Sequence, residues 1–140
     1  MPEPTRKLAA IVFTDIIGFT KLTADDQQKA IELLDLQRVE LKPLVESHDG
    51  KWVKEMGDGL ILTFDTITNA VQCCLKFQEK AKSIDHLSLR IGIHLGEIME
   101  KEGDIIGDDV NVASRIEPFS PPGGIAISNK VNDALVREKE

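Results

Sequence analysis

The sequence predicts an α+β domain: a ferredoxin-like βαββαβ antiparallel sheet with helices packed on it. Three observations carry that expectation. Short apolar runs alternate with two longer stretches whose apolar residues recur at helical spacing. Two of the runs are separated only by "GDG" at 57–59, a tight-hairpin signal. Hydrophobic residues make up 41% of the 140 and charged residues 29%, enough for one core and the surface around it.

Taken in order, "LAAIVFTD" (8–15) reads as a strand that ends on a carboxylate. Over 24–47, Ala30, Leu33, Leu34, Leu41, Leu44 and Val45 fall at helical spacing, with Pro43 as a kink or a new turn. "HDG" (48–50) turns the chain into "KWVKEM" (51–56) and "LILTF" (60–64), the two arms of the hairpin. Thr66 suits the cap of a second helix, with Ile67, Ala70, Val71, Cys74, Leu75, Gln78 and Ala81 on one face. "LSLRIGIHLGEIME" (87–100) reads as a strand, with a second strand after a break at Gly96, and "EGD" (102–104) turns. "DDVNVASRIE" (108–117) is a helix with Asp108 and Asp109 suited to its N-terminus. "SPPGG" (120–124) is a loop, "IAIS" (125–128) a short strand, and Ser128 caps a last helix through Arg137. The order β-α-β-β-α-β-β-α-β-α begins with the split βαβ pattern, helices on one face.

Composition excludes several functions. Seventeen Lys+Arg against 24 Asp+Glu give a formal charge of −7, and no basic block compensates, so nucleic acid is not an expected partner. No apolar run is long enough to cross a membrane, and "MPEPTRK" has no signal-peptide core. Cys73 and Cys74, adjacent in a helical pattern, read as a reduced pair with at least one in the core, which points to a cytoplasmic setting. His48 and His86 lie in turns, and His94 reads as a structural residue of its strand.

The chemistry-bearing candidates are carboxylates. In a split βαβ sheet the first strand lies beside the hairpin, which brings Asp15 near Asp58. Two carboxylates at one sheet edge repel unless a cation lies between them. Hard divalent ions take oxygen ligands and share them with substrate phosphates, so the pair points to two-metal phosphoryl transfer. Each has an ordinary explanation alone: Asp15 as a helix cap, Asp58 as a hairpin residue. Simple alternation puts Lys54 with Trp52 and Met56 on one face, a lone cation on the more apolar side. It is either a snorkelling lysine or a group that reads a polar ligand atom.

Five segments stand together: "FTDIIGFT", "KWVKEMGDG", "LRIGIHLGE", "GDIIGDDVNVASRI" and "GGIAIS". In this order and spacing the chain resembles the class III nucleotidyl cyclase catalytic domain, the family of adenylyl and guanylyl cyclases, from about residue 7 to 128. The resemblance implies one catalytic domain over 1–140 that stops before the family's closing strands, with no lysine left to contact the triphosphate. It implies Mg²⁺ or Mn²⁺, two per site, on Asp15, Asp58 and the backbone carbonyl of Ile16. It implies that the backbone of Ile17, Gly18, Phe19 and Thr20 wraps the phosphates. The base is read by Lys54, four residues before the second metal aspartate, and by Asp104, seven before the motif asparagine. A Lys/Asp pair resembles the adenine-selecting form; guanine-selecting members resemble Glu with Cys. Asn111 would orient the ribose and Arg115 would stabilise charge on the α-phosphate. Both have the ordinary reading of exposed helix residues, Arg115 paired with an acidic neighbour. The expected reaction takes ATP to 3′,5′-cyclic AMP and pyrophosphate in a homodimer whose sites are shared between protomers. The alternatives are a non-catalytic nucleotide-binding or dimerisation module, and a guanylate cyclase. The "GGDEF"-type turn of diguanylate cyclases is absent from "EMGDG".

Overall fold

In the computed structural model, residues 5–138 are described. The chain runs β1 (Thr5–Ile16), α1 (Phe19–Asp25), α2 (Gln27–Ser47), β2 (Lys51–Met56), β3 (Gly59–Phe64) and α3 (Ile67–Ala81). It continues with β4 (Leu89–Lys101), β5 (Asp104–Ile106), α4 (Asp108–Ile116), a 3₁₀ turn at Glu117–Phe119, β6 (Ala126–Ile127) and α5 (Asn129–Glu138). Strands β2-β3-β1-β4-β5 pair antiparallel in that order, and β6 joins β4 in parallel, so the sheet is mixed. β1 is central, with the β2–β3 hairpin beside it, as the split βαβ pattern predicts.

Residues 9–12, "AAIV", are apolar in succession because both faces of β1 are covered there, whereas Leu8 before them is exposed. Ala10, Val12 and Ile16 pack with Leu33, Leu41 and Val45 of α2, Cys73, Cys74 and Phe77 of α3, and Val131 of α5. Ala9 and Ile11 pack with Ile61, Ile98, Ile105 and Ala113 of α4. The first two helices of the βαββαβ unit lie on one face, as expected. Helix α4 covers the other, and the site is built on that side.

Four local expectations change. The stretch 24–47 is two helices, broken at Asp26, whose carboxylate accepts from the Lys29 N–H at 3.1 Å. Pro43 stays inside α2 on its exposed side, where the Val39 carbonyl that it leaves unbonded can turn to water. On α3, Leu75 is exposed while Cys73 and Phe77 are buried. β4 passes through Gly96 unbroken for 13 residues. That glycine marks a close approach instead, because a Cβ there would overlap the Asp109 carboxyl group.

The alternation along β2 also fails. Trp52 pairs with Leu62 and Lys54 with Ile61, so a β-bulge falls at Val53. Trp52 stays on the α2 face, where its indole N–H donates to Glu55 at 3.2 Å. Val53 packs on the opposite face, and Lys54 reaches Asp104 of β5. The bulge therefore turns Lys54 away from Trp52. The pattern of apolar and polar residues does not show it.

Candidate active site

The turn between β2 and β3 is tight because Gly57 takes φ 60, leaving Asp58 at the tip. Asp58 Oδ2 accepts from the Ile16 N–H at 2.8 Å, which ties the hairpin tip to the end of β1. Asp15 and Asp58 line one cleft of about 270 Å³ with Phe13, Met56, Ser114 and Glu117. The structure thus brings together the two carboxylates that the sequence pairs.

Negative charge in this cleft is only partly answered. Asp15 Oδ1 and Glu117 Oε2 are buried without a hydrogen-bond partner among the described residues. Burial first, and then the Asp15 carboxyl beside it, pushes the Glu117 carboxyl up to about 7. Asp58 adds to the rise, and Arg90, opposite Asp15 on β4, opposes it. Three carboxyl groups crowd one wall, and the neighbouring carboxylates raise the affinity of Glu117 for a proton. Glu117 and Arg90 are absent from the sequence reading. The available signal was "RIEP", a glutamate held by the turn that ends α4.

The donor set fits a hard divalent cation. Asp15 offers a buried oxygen with no partner among the described residues, and carboxylates are the oxygen ligands such ions take. Among the described residues no group of three or more His, Cys, Asp or Glu forms a protein-only cage. Two carboxylates with positions left for substrate oxygens is the Mg²⁺ arrangement.

The segment after Asp15 opens α1. Gly18 takes φ 77, a left-handed conformation that glycine adopts without strain, and the space where a Cβ would stand is open. The Ile17 N–H already donates to Ser88 O at 2.8 Å. No side chain caps α1, so the Phe19 and Thr20 amides open the helix without an intrahelical acceptor.

Lys54 and Asp104 also meet. Lys54 Nζ donates to Asp104 Oδ2 at 2.9 Å, and the Ile105 N–H donates to Oδ1 at 2.7 Å. The Lys54 ammonium, with that amide second, holds the Asp104 carboxyl below the usual carboxylate range. Both side chains are close to half exposed, so the pair is accessible.

Asn111 and Arg115 are exposed on α4, and neither side chain is bonded to another described residue. The acidic neighbour expected as the ordinary partner of Arg115 is not found among the described residues. Of this helix, Ser114 lines the acidic cleft and Arg115 does not. The structure therefore joins Asp15 with Asp58 and Lys54 with Asp104, and leaves Asn111 and Arg115 outside the acidic cleft of their own chain.

The sheet delivers two carboxylates to one cleft and a Lys–Asp pair nearby, and comparison with known proteins supplies the family. The sequence profile of the adenylate and guanylate cyclase catalytic domain matches residues 1–140. A Rhizobium meliloti (strain 1021) protein named "Putative adenylate cyclase 3" is 38% identical over 136 residues, 91% of this chain and 23% of its own length. The chain thus spans about a quarter of that relative. The crystal structure of an adenylate/guanylate cyclase/hydrolase from Silicibacter pomeroyi superposes with TM-score 0.87 at 32% identity, covering 99% of this chain and 84% of the other. The adenylyl cyclase CyaB from P. aeruginosa superposes with TM-score 0.84 at 25% identity, covering 97% and 84%. The chain belongs to the adenylate and guanylate cyclase catalytic domain family.

Proposed function

We propose that residues 1–140 act as one adenylate cyclase catalytic domain, converting ATP to 3′,5′-cyclic AMP and pyrophosphate in a homodimer with shared sites. The observation that carries this reading is the convergence of Asp15 and Asp58 on one cleft, with a buried carboxylate oxygen left unbonded.

Asp15, Asp58 and the Ile16 carbonyl would hold two Mg²⁺ or Mn²⁺ ions. When bound, these ions lower the pKa of the ribose 3′-hydroxyl and neutralise triphosphate charge. The chain's own residues do the rest by position. The Ile16 N–H fixes the Asp58 carboxylate. The backbone of Gly18, Phe19 and Thr20 offers amides to the β- and γ-phosphates, while Ile17 lends shape only, its N–H being bound to Ser88. Lys54 and Asp104, a donor beside an acceptor at 2.9 Å, complement the ring N1 and the exocyclic amine of adenine. Asn111 orients the ribose and Arg115 stabilises charge at the α-phosphorus. Their place on α4 outside the acidic cleft supports their acting on the partner's triphosphate.

Among the described residues no helix is long and apolar enough to cross a membrane. The free, buried thiols of Cys73 and Cys74 support a reducing, cytoplasmic setting.

The test is incubation with ATP and Mn²⁺ or Mg²⁺, with cyclic AMP measured across protein concentrations. The reading expects product, specific activity that rises with concentration, and weak competition by GTP. Calorimetric binding of ATP without turnover would make the chain a nucleotide-binding module. Faster turnover of GTP than of ATP would make it a guanylate cyclase.

A further inference from the structure

Helix α4 is held on β4 at two points. Its first turn lies over Gly96, where a Cβ would overlap the Asp109 carboxyl. The turn that follows it lies over Gly92, where a Cβ would collide with the Glu117 backbone. The spacings agree. Four residues of strand span about 13 Å and eight residues of helix about 12 Å. The helix runs antiparallel to the strand and rests on two glycines.

The anchor at Gly96 is polar. β5 pairs with β4 only at Met99–Lys101, and β6 only at Gly92 and Ile93. Among the described residues, the stretch of β4 edge between them has no strand neighbour. Asp109 fills it: Oδ2 accepts from the Glu97 N–H at 3.0 Å, and Oδ1 bonds to His94 Nε2 at 2.9 Å. A carboxylate only accepts, so Nε2 carries the hydrogen, and Nδ1 is hydrogen-bonded to the Ser128 hydroxyl at 2.8 Å. Ser128 is fixed in turn, its N–H donating to Ile93 O. His94 is 4% exposed and Ser128 9%, so these Ser, His and Asp residues offer no accessible nucleophile. They latch a helix.

Asn111 and Arg115 lie between the two anchors, at 109 and 117. We infer that His94 and Asp109 are positioning residues for Asn111 and Arg115, setting the helix that presents them to the nucleotide. This rests on the cyclase reading above. Neither residue touches substrate; both act through α4.

The experiment compares the wild-type chain with Asp109→Ala, Asp109→Asn, His94→Ala and His94→Gln. It measures kcat and KM with Mn²⁺–ATP, and hydrogen exchange of α4 without nucleotide. Misplacing reacting groups by about 1 Å costs about a hundredfold in rate. Asp109→Ala and His94→Ala are expected to lower kcat by that order with KM little changed. His94→Gln, whose amide can still donate to Asp109, is expected to recover most of the loss. Asp109→Asn, which keeps the shape and one acceptor, should fall in between and serves if the alanine variants do not fold. The α4 amides should lose protection while those of β1 and β3 keep theirs. Wild-type kcat in folded Asp109→Ala or Asp109→Asn, or unchanged α4 protection, overturns the latch. A wild-type chain that makes no cyclic AMP refutes the cyclase reading instead, and the exchange measurement still decides the latch.

Discussion

The acidic cleft and the Lys54–Asp104 pair treat charge in opposite ways. In the cleft, three carboxyl groups face one another and two buried oxygens have no partner among the described residues. At the pair, an ammonium and a carboxylate answer each other at 2.9 Å, close to half exposed. Unanswered negative charge calls for a cation and disfavours the empty fold. A matched donor and acceptor cost the fold little and, on the proposed function, would trade each other for the edge of a base. On the proposed function, the acidic half would depend on metal and the paired half would set selectivity.

The largest effect should come from breaking the cleft. Asp15→Asn is expected to lower turnover by about a thousandfold, because electrostatic stabilisation of the phosphates goes with it. The same change relieves repulsion, so its melting temperature in EDTA should rise by a few degrees, of the order of 4 °C per kcal/mol. Mn²⁺ should raise the melting point of the wild type and not that of Asp15→Asn. Calorimetry in both conditions checks this; a variant that melts lower in EDTA contradicts the idea of stored repulsion.

Next comes selectivity. Lys54→Glu combined with Asp104→Cys should shift the ratio of kcat/KM for ATP over GTP toward GTP by about a hundredfold or more. It should leave the Mn²⁺ effect on melting intact. A variant that keeps its ATP preference would show that the pair does not read the base.

Gly96→Ala sharpens the comparison from the α4 side. The new methyl meets the Asp109 carboxyl group, so overpacking should destabilise the fold by about 1–3 kcal/mol. Denaturant unfolding measures it, and no change would mean that α4 moves freely.

The smallest effect is a pH dependence. The Glu117 carboxyl is raised to about 7 in the fold from 4.5, so the folded state binds the extra proton. Its stabilising contribution is complete below pH 4.5 and is lost as pH rises through about 7. In EDTA, Glu117→Gln should flatten the stability profile over that range. An unchanged slope would mean that Glu117 is not the titrating group.

Much of this was legible in the sequence, for physical reasons. The strand-helix order and the hairpin follow from periodicity and from "GDG", and both are local signals. The meeting of Asp15 and Asp58 follows from the split βαβ order once β1 is known to lie beside the hairpin. What stayed hidden depends on non-local geometry. The bulge at Val53 is invisible because Val53 and Lys54 fit either face by composition. Gly96 looks like a break because sequence alone cannot show Asp109 pressing on it. Glu117 is ordinary in sequence and becomes distinctive only when its turn seats it against Asp15. Helix α4 lies on the second face of the sheet, which a count of elements does not specify.

The shared site can be tested by mixing two broken proteins. Asp58→Ala and Arg115→Ala should each be silent alone. In an equimolar mixture half the dimers are mixed, each with one intact site, so about a quarter of wild-type cyclic AMP formation should return. Silence of the mixture, with an active wild type, would contradict a site assembled from Asp58 of one protomer and Arg115 of its partner.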